Sequence, residues 1–325
     1  MRLLDVLLRR PLAALLVAAM GAAAVAQTPQ DASAYAGVAQ AVAGMDDVQS
    51  VVVLQRGQPV YEFHRDAAGG QPLGVQSIDK SVLSTLVGIA IGQGRIAGVD
   101  QPVLALVPEW ASLNPDPRAA AITLRHLLTL SSGFDTSVRT GTSARDAWAR
   151  PLLAEPGQRF AYDNAMVPLL RAIVEKATGV PLLDYARREL AEPLGVGGFD
   201  ARQGLKLRTV DMARLGQLYL DKGAWKGRQL LPQDYVLAAT QPQVAGGPPL
   251  SFPYGFGWWV IPSKLERQTF MAAGFGGQFI WVYAPLELVV AIQSTVSGAS
   301  NERGQALQLI RGPIFAAAQK RAAMP

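Results

Sequence analysis

A serine and a lysine stand three residues apart at Ser77 and Lys80, immediately before a long apolar run. Residues three apart on a helix share one face, so the lysine amine would stand beside the serine hydroxyl without help from any other part of the chain. A serine hydroxyl becomes a nucleophile when a neighbouring base takes its proton. The spacing therefore predicts a nucleophile, Ser77, with Lys80 as its base.

The run that follows, residues 81–91, is apolar on almost every side, which is typical of a helix that is buried all round. Burial disfavours a charged ammonium, so we expect Lys80 to be able to accept a proton. The N-terminus of the same helix would add the positive end of its dipole. That dipole favours negative charge as it develops at Ser77 and on the substrate.

Two further segments carry groups suited to the same chemistry. The first is Tyr162-Asp163-Asn164, just before a predicted helix, and the second is Ala-Gly-Phe-Gly-Gly-Gln at 273–278, which opens a predicted strand. A tyrosine hydroxyl can move protons during acyl transfer. Glycines let a backbone and a substrate approach each other closely.

Together these segments resemble the penicillin-binding and class C β-lactamase-like serine hydrolases. Ser77 to Lys80 matches the S-x-x-K motif, Tyr162 to Asn164 matches Y-x-N, and Phe275-Gly276-Gly277 stands at the strand motif. The resemblance covers about residues 45 to 320. Within the superfamily the chain is most similar to the branch of 6-aminohexanoate-dimer hydrolases and β-lactamase-like carboxylesterases, through the stretches 204–219, 254–259 and 274–278.

The resemblance implies a role for each polar side chain. Ser77 would attack the acyl carbonyl, while Lys80 and Tyr162 would move protons to and from the hydroxyl and the leaving group. Asn164 would orient Lys80 and bind the substrate. Each role is chemically reasonable for its residue type.

The resemblance also implies an oxyanion hole, made by the backbone N–H groups of Ser77 and Gln278. Gly276 and Gly277 would let backbone and substrate come close there. Phe275 departs from the family pattern, because penicillin-directed relatives carry a lysine or histidine there that helps to bind the substrate carboxylate. Phe275 is therefore either a packed strand residue or part of an apolar acyl or alcohol pocket.

The expected fold is α+β and β-lactamase/transpeptidase-like, with an antiparallel sheet flanked by helices and an inserted helical subdomain. Two β-rich runs, 50–54 and 59–64, surround a glycine turn and predict a hairpin. Further strands are predicted over 254–261, 277–283 and 288–294. Strands from both ends of the chain should pair in one sheet.

One hydrolase domain is expected over 27–325. Its sheet subdomain would consist of 45–80 and 205–325, and the helical insertion of 81–204, with the active cleft between them. Helices are predicted over 124–130, 165–178, 182–190, 210–220 and 301–320, with another starting at 232.

The N-terminus has the features of a secretory signal peptide over residues 1–26. Arg9-Arg10 precedes an apolar stretch that ends in the small-residue triplet Ala24-Val25-Ala26. This stretch is shorter than the ~20 residues that a membrane-spanning helix needs. We expect cleavage, a periplasmic or secreted protein and no stable membrane insertion afterwards; an uncleaved anchor is the alternative.

Composition excludes several other kinds of chemistry. The 325 residues include no cysteine, which excludes disulfides, thiolate metal ligands and a cysteine nucleophile. The only histidines, His64 and His126, disfavour a Ser-His-Asp triad and make a poor metal site. No phosphate-binding glycine loop is present, so no metal and no cofactor are expected. A formal net charge of +5 is too small to indicate nucleic acid.

The sequence therefore predicts an exported serine hydrolase that forms an acyl-enzyme. Its substrate would be a small carboxylic ester or amide. A β-lactamase or D-Ala-D-Ala carboxypeptidase is an alternative, which the apolar Phe275 disfavours. A non-catalytic, penicillin-sensor-like binding protein is a third, which the intact Ser77, Lys80 and Tyr162 disfavour.

Overall fold

The strands of the chain form one large sheet and two small ribbons in a computed structural model, which describes residues 29–197, 205–262 and 269–324. The strands are β1 Val48–Gln55, β2 Gln58–His64, β3 Leu73–Gly74, β4 Lys206–Leu207, β5 Ala224–Trp225, β6 Arg228–Gln229, β7 Val244–Gly247, β8 Phe252–Tyr254, β9 Trp259–Ile261, β10 Thr269–Gly274, β11 Gln278–Tyr283 and β12 Leu288–Ser294. Within the described residues, eight strands pair in the order β2-β1-β12-β11-β10-β9-β8-β7.

The hairpin at the start of the sheet has a two-residue turn. Gln55 pairs with Gln58, and the intervening Arg56 and Gly57 both have positive φ angles, of 55° and 70°. This combination matches the right-handed twist of the flanking strands. On its other side β1 pairs with β12, so the strands from the two ends of the chain lie side by side, as the sequence predicts.

The prediction of a single strand over 254–261 is wrong, because the chain reverses direction in the middle of this range. β8 and β9 are two short strands in which Tyr254 pairs with Trp259. Gly257, with a φ of +77°, makes this reversal possible, and a Cβ there would lie 2.8 Å from the carbonyl oxygen of Lys80. The turn therefore packs directly on the backbone that carries the predicted base.

Helices cover the sheet on both faces and fill the middle of the chain. They are α1 Pro29–Ala43, α2 Asp79–Gly92, α3 Val103–Leu106, α4 Leu124–Leu128, α5 Ala144–Trp148, α6 Met166–Thr178, α7 Leu182–Ala186, α8 Glu192–Leu194, α9 Thr209–Leu220, α10 Gln233–Ala239, α11 Gly298–Arg303, α12 Gln305–Leu309 and α13 Phe315–Ala322. The helix predicted over 301–320 is interrupted at Gly304, whose φ is +60°.

The two faces of the sheet are covered by different helices. Gln55 on β1 donates to the carbonyl oxygen of Ala318 in α13, so its face of the sheet lies against α13 and its neighbour α1. Leu54, the residue before Gln55, faces the opposite side of the sheet and pairs with Val289 of β12. On that side Val289 contacts α9 at Gly216. This arrangement confirms the α+β architecture, while the exact division at 81–204 stays a prediction.

The helix that follows Ser77 lies inside the molecule. Every residue of α2 from Lys80 to Ala90 is buried, as its apolar run predicts. Two hydroxyl contacts fix its depth: Thr85 Oγ1 lies 3.0 Å from the hydroxyl of Tyr219 in α9, and Ser84 Oγ lies 2.9 Å from that of Tyr235 in α10. The first half of α2 is therefore held against α9 and α10.

Replacing Gly216 with alanine should destabilise the fold. A Cβ at this position of α9 would lie 2.6 Å from Val289 Cγ1 and 2.7 Å from Ile280 Cγ2, both in the sheet core. Overpacking of this kind lowers the free energy of unfolding by ~1–3 kcal/mol. Gly37→Ala is the control, because Gly37 is exposed in α1 with no atom within 4 Å of an added Cβ. We expect it to raise stability by ~0.5–1 kcal/mol. Equal changes in the free energy of unfolding for Gly216→Ala and Gly37→Ala, measured by urea unfolding, would contradict this packing.

Candidate active site

Ser77 lies in a strained turn at the edge of a cavity. It belongs to the 3₁₀ turn Gln76–Ile78, which leads directly into α2. The preceding residue, Gln76, has a φ of +53°, which is uncommon for a residue other than glycine. Backbone strain of this kind clusters at functional sites. The turn leaves Ser77 partly exposed at the start of a buried helix.

Lys80 connects Ser77 to the second predicted motif. The lysine is only 2% exposed, and its Nζ lies 3.3 Å from Ser77 Oγ. The same Nζ donates to Asn164 Oδ1 at 2.8 Å. The serine–lysine contact is the one that the spacing predicts, whereas the asparagine comes from a segment 84 residues away.

Tyr162 lies on the same side of the site. Its ring centroid is 4.9 Å from Lys80 Nζ, and its ring stacks on that of Trp259 with the centroids 6.0 Å apart and the planes within 9°. The structure thus brings Ser77, Lys80, Tyr162 and Asn164 together, although the sequence separates them into two distant motifs.

Trp259 is a site residue that the sequence analysis did not single out. Trp258 and Trp259 are adjacent in the chain, and Trp259 is the one beside Tyr162. Trp258 is fully buried instead against Tyr219, at a ring separation of 4.4 Å. Trp259 packs edge-on against Tyr254 at 4.8 Å, so the stack under Tyr162 is itself anchored in the sheet.

The close approach between the strand motif and the nucleophile is made by Gly274. A Cβ on Gly274 would lie 2.5 Å from the carbonyl oxygen of Val75, just before the nucleophile turn. Gly276 and Gly277 pack against the segment 294–297. The close approach of backbone and substrate expected at Gly276 and Gly277 stays a prediction.

Gln278 can serve the site only through its backbone. Its side chain is fully buried, where Nε2 donates to the Ser294 carbonyl and Oε1 accepts from the Ser294 N–H. Its backbone pairs with Gly274 across the turn between β10 and β11. Phe275, in that turn, is 49% exposed. The turn residues thus lie next to the strand end that contacts the nucleophile segment.

A cavity of about 430 Å³ opens beside the nucleophile. Among the described residues, its lining includes the polar groups of Ser77, Lys80 and Asn164 and the apolar side chains of Val167, Pro168 and Leu205. Phe275 is not part of this lining. The volume and the mixed lining suit a small organic acyl group.

Asp79 lines the same cavity and was not singled out from the sequence. Burial raises the pKa of its carboxyl, and the neighbouring Lys80 and Arg171 offset only part of that effect. Its Oδ1 is enclosed and accepts no hydrogen bond within the described structure. The cavity wall next to Ser77 thus contains a carboxyl group that is incompletely paired.

The two histidines have other partners. His126 Nδ1 accepts from the backbone N–H of Thr123 at a helix start, and burial lowers the pKa of His126. His64 lies 2.9 Å from Ser50 Oγ and 2.7 Å from Glu62 Oε1. Ser50 is fully buried, so this Ser-His-Glu chain offers no exposed nucleophile.

The described ranges contain no group of three or more histidine, aspartate or glutamate side chains arranged to hold a metal ion. In the same ranges, no helix combines the length and the apolar character needed to cross a membrane. The predicted signal peptide, residues 1–26, lies outside the described residues.

Comparison with known families places the site in a wider context. The family described as Beta-lactamase matches residues 22–203, more than half of the chain. The chain belongs to the beta-lactamase family. This confirms the resemblance that the motifs indicate, and within the matched region lie Ser77, Lys80, Tyr162 and Asn164.

Two proteins of known name are similar in sequence. The 6-aminohexanoate-dimer hydrolase of Paenarthrobacter ureafaciens is 24% identical over 298 residues, covering 79% of this chain and 75% of the relative. Esterase EstB of Burkholderia gladioli is 26% identical over 176 residues, covering 45% of this chain and 44% of the relative. The chain is thus similar to proteins that are named as a 6-aminohexanoate-dimer hydrolase and as an esterase.

Solved structures share the fold at low sequence identity. EstCE1, described as a hydrolase with promiscuous acyltransferase activity, superposes with a TM-score of 0.71 at 17% identity, covering 88% of this chain and 98% of that one. A penicillin-binding protein homologue from Caulobacter crescentus gives 0.71 at 16% identity, covering 90% and 98%. These likenesses establish the β-lactamase/transpeptidase-like fold.

Proposed function

We propose that the protein is a serine hydrolase that acts through an acyl-enzyme at Ser77 on carboxylic esters or small amides. The observation that carries the proposal is the position of Lys80, which is buried with its Nζ 3.3 Å from Ser77 Oγ and 2.8 Å from Asn164 Oδ1. A nucleophile within reach of a base that a third group orients is the arrangement that covalent catalysis requires.

In the acylation step, Lys80 takes the Ser77 proton as Oγ attacks the carbonyl carbon of the substrate. The new Oγ–C bond gives a tetrahedral oxyanion, for which the backbone N–H groups of Ser77 and Gln278 are the proposed donors. The bond to the leaving group then breaks, and Lys80 or Tyr162 returns a proton to the departing oxygen or nitrogen. Water later hydrolyses the acyl-enzyme and restores Ser77.

Two features favour esters and small amides over β-lactams and D-alanyl peptides. The first is that Phe275 supplies no cation for a substrate carboxylate. The second is that Lys80 is the only lysine or arginine in the cavity lining of the described residues, and it is hydrogen-bonded to Asn164. Relatives named esterase and 6-aminohexanoate-dimer hydrolase support the same preference. The contacts of Lys80 also favour an enzyme over a non-catalytic binding protein.

Short-chain ester hydrolysis is expected to exceed β-lactam hydrolysis. A charge-assisted hydrogen bond typically contributes ~1.5–3 kcal/mol, so the missing cation should weaken anionic substrates by roughly 10–150-fold through that contact. The test compares kcat/KM for p-nitrophenyl butyrate with that for nitrocefin. A clear preference for nitrocefin would reverse the proposed order of substrates.

Phe275→Lys tests whether the apolar residue causes that preference. Phe275 is half exposed, so the variant should fold as the parent does. Leu153, which is 63% exposed, provides a matched control in Leu153→Lys. Only Phe275→Lys should improve nitrocefin turnover. Equal effects of the two lysines would mean that added surface charge, and not its position, is responsible.

We further infer that the protein is exported and cleaved after Ala26. The basic start, the short apolar stretch and the triplet Ala24-Val25-Ala26 support this proposal. The N-terminal sequence of the protein from a periplasmic fraction should begin at Gln27. Recovery of the full-length N-terminus from a soluble cytoplasmic pool would contradict it.

A further inference from the structure

A buried ion pair lies directly behind the tyrosine–asparagine motif. Arg150 donates from Nη2 to Asp163 Oδ2 at 2.6 Å, and the two side chains are only 1% and 12% exposed. Asp163 is the middle residue of Tyr162-Asp163-Asn164. Asp163, which lies between the site residues Tyr162 and Asn164, is therefore the motif residue that forms a buried ion pair.

Arg150 joins several segments around this motif. Its Nε donates to the carbonyl oxygen of Ala147 at 2.9 Å, and its Nη1 to that of Asp135 at 3.4 Å. Its guanidinium carbon lies 4.9 Å from the ring centroid of Phe134. Asp135 begins the loop that continues to Gly141, which lines the cavity. A single buried cation thus connects the motif to the segment that leads to Gly141 in the cavity lining.

Asp163 is held by its second oxygen as well. Oδ1 accepts from the backbone N–H of Ala165 at 2.8 Å, just before α6 begins. Residues 161–163 have no regular secondary structure, and the backbone N–H of Ala161 donates to the carbonyl oxygen of Leu130 at 2.8 Å. The carboxylate of Asp163 adds two further contacts to this segment, one with Arg150 and one with Ala165.

The three side chains of the motif reach two different partners. Asp163 points inward to Arg150, while Tyr162 and Asn164 both reach Lys80. The middle residue of this Y-x-N motif thus has a different partner from the two residues beside it.

We propose that Arg150 and Asp163 form a positioning pair that orients Tyr162 and Asn164 toward Lys80. The proposal rests on the proposed hydrolase function. A buried ion pair is poor evidence for stability, because apolar or neutral residues often replace both partners without loss. Its contribution here is to geometry, since misplacing a reacting group by about 1 Å can lower a rate by ~10²-fold.

The test compares Asp163→Asn with the double variant Arg150→Met/Asp163→Asn. Asparagine keeps an oxygen for the Ala165 N–H, but the single variant leaves Arg150 charged, buried and unpaired, so its Tm should fall. The double variant removes that charge and should recover most of the Tm. With p-nitrophenyl butyrate, both variants should lose roughly 10–100-fold in kcat with KM within about threefold of the parent.

A purely structural role makes a different prediction for the double variant. In that case kcat would recover together with Tm, and this result would overturn the proposal. Arg321→Met is the matched control, because Arg321 pairs with the buried Asp31 where α13 meets α1, on the far face of the sheet. It should lower Tm and leave kcat unchanged. A loss of kcat in Arg321→Met equal to that in Asp163→Asn would also overturn the proposal.

Tyr162→Phe separates this proposal from the proposed function. If Tyr162→Phe and Ser77→Ala both keep the parent's activity, the hydrolase mechanism itself fails. If both lose activity while Asp163→Asn and the double variant keep the parent's kcat, only the positioning role fails. Under the proposal, Asp163→Asn should lower kcat less in the Tyr162→Phe background than in the parent, because part of its effect passes through Tyr162. Fully additive losses would contradict that coupling.

Discussion

Replacing Ser77 with alanine is expected to lower kcat for p-nitrophenyl butyrate by on the order of 10⁴–10⁶-fold, the range that loss of a serine nucleophile produces. The hydroxyl is the only group of Ser77 that the substitution removes, so the change should leave the fold and the cavity intact. Steady-state kinetics give the rate. Labelling by a fluorophosphonate should be lost in the same variant.

Ser81→Ala is the matched control for this experiment. Ser81 lies one helical turn further along α2, and its Oγ donates to the carbonyl oxygen of Gly257 at 2.6 Å. Its loss should reduce stability by ~1 kcal/mol and leave labelling intact. Labelling that persists in Ser77→Ala would exclude Ser77 as the nucleophile.

Replacing Lys80 with methionine should lower the acylation rate by at least the ~10²–10⁴-fold that loss of a general base produces. Methionine is similar to lysine in length and leaves no unpaired charged partner behind, so the variant should keep the fold. Stopped-flow measurement of the p-nitrophenol burst isolates the acylation step. Lys176→Met, in which an exposed lysine paired with Glu109 is removed, is the control and should keep the parent's burst rate. Near-normal acylation in Lys80→Met would contradict its assignment as the base.

The part of the site that is local in sequence could be predicted from the sequence. Ser77 and Lys80 are three residues apart, and helix geometry alone brings them together. The apolar run after them predicts a buried helix, which α2 is. Tyr162 and Asn164 were found through their resemblance to a family motif, since nothing in their own segment indicates Lys80 as a partner.

The contacts that depend on tertiary packing could not be predicted. Arg150 and Trp259 have no local pattern that relates them to Tyr162, because one pairs with a neighbouring residue of the motif and the other approaches from β9. The sequence does not reveal the turn inside 254–261, because the apolar pattern of one long strand is the same as that of two short strands joined by a turn.

The most direct test of the proposed mechanism is the mass of the protein during turnover. Wild-type protein mixed with p-nitrophenyl butyrate and quenched with acid within the burst should gain the mass of one butyryl group, and peptide mapping should place that group on Ser77. The acyl group should be absent after the substrate is exhausted. Turnover with no acylated species, or with a butyryl group on any other residue, would contradict an acyl-enzyme at Ser77.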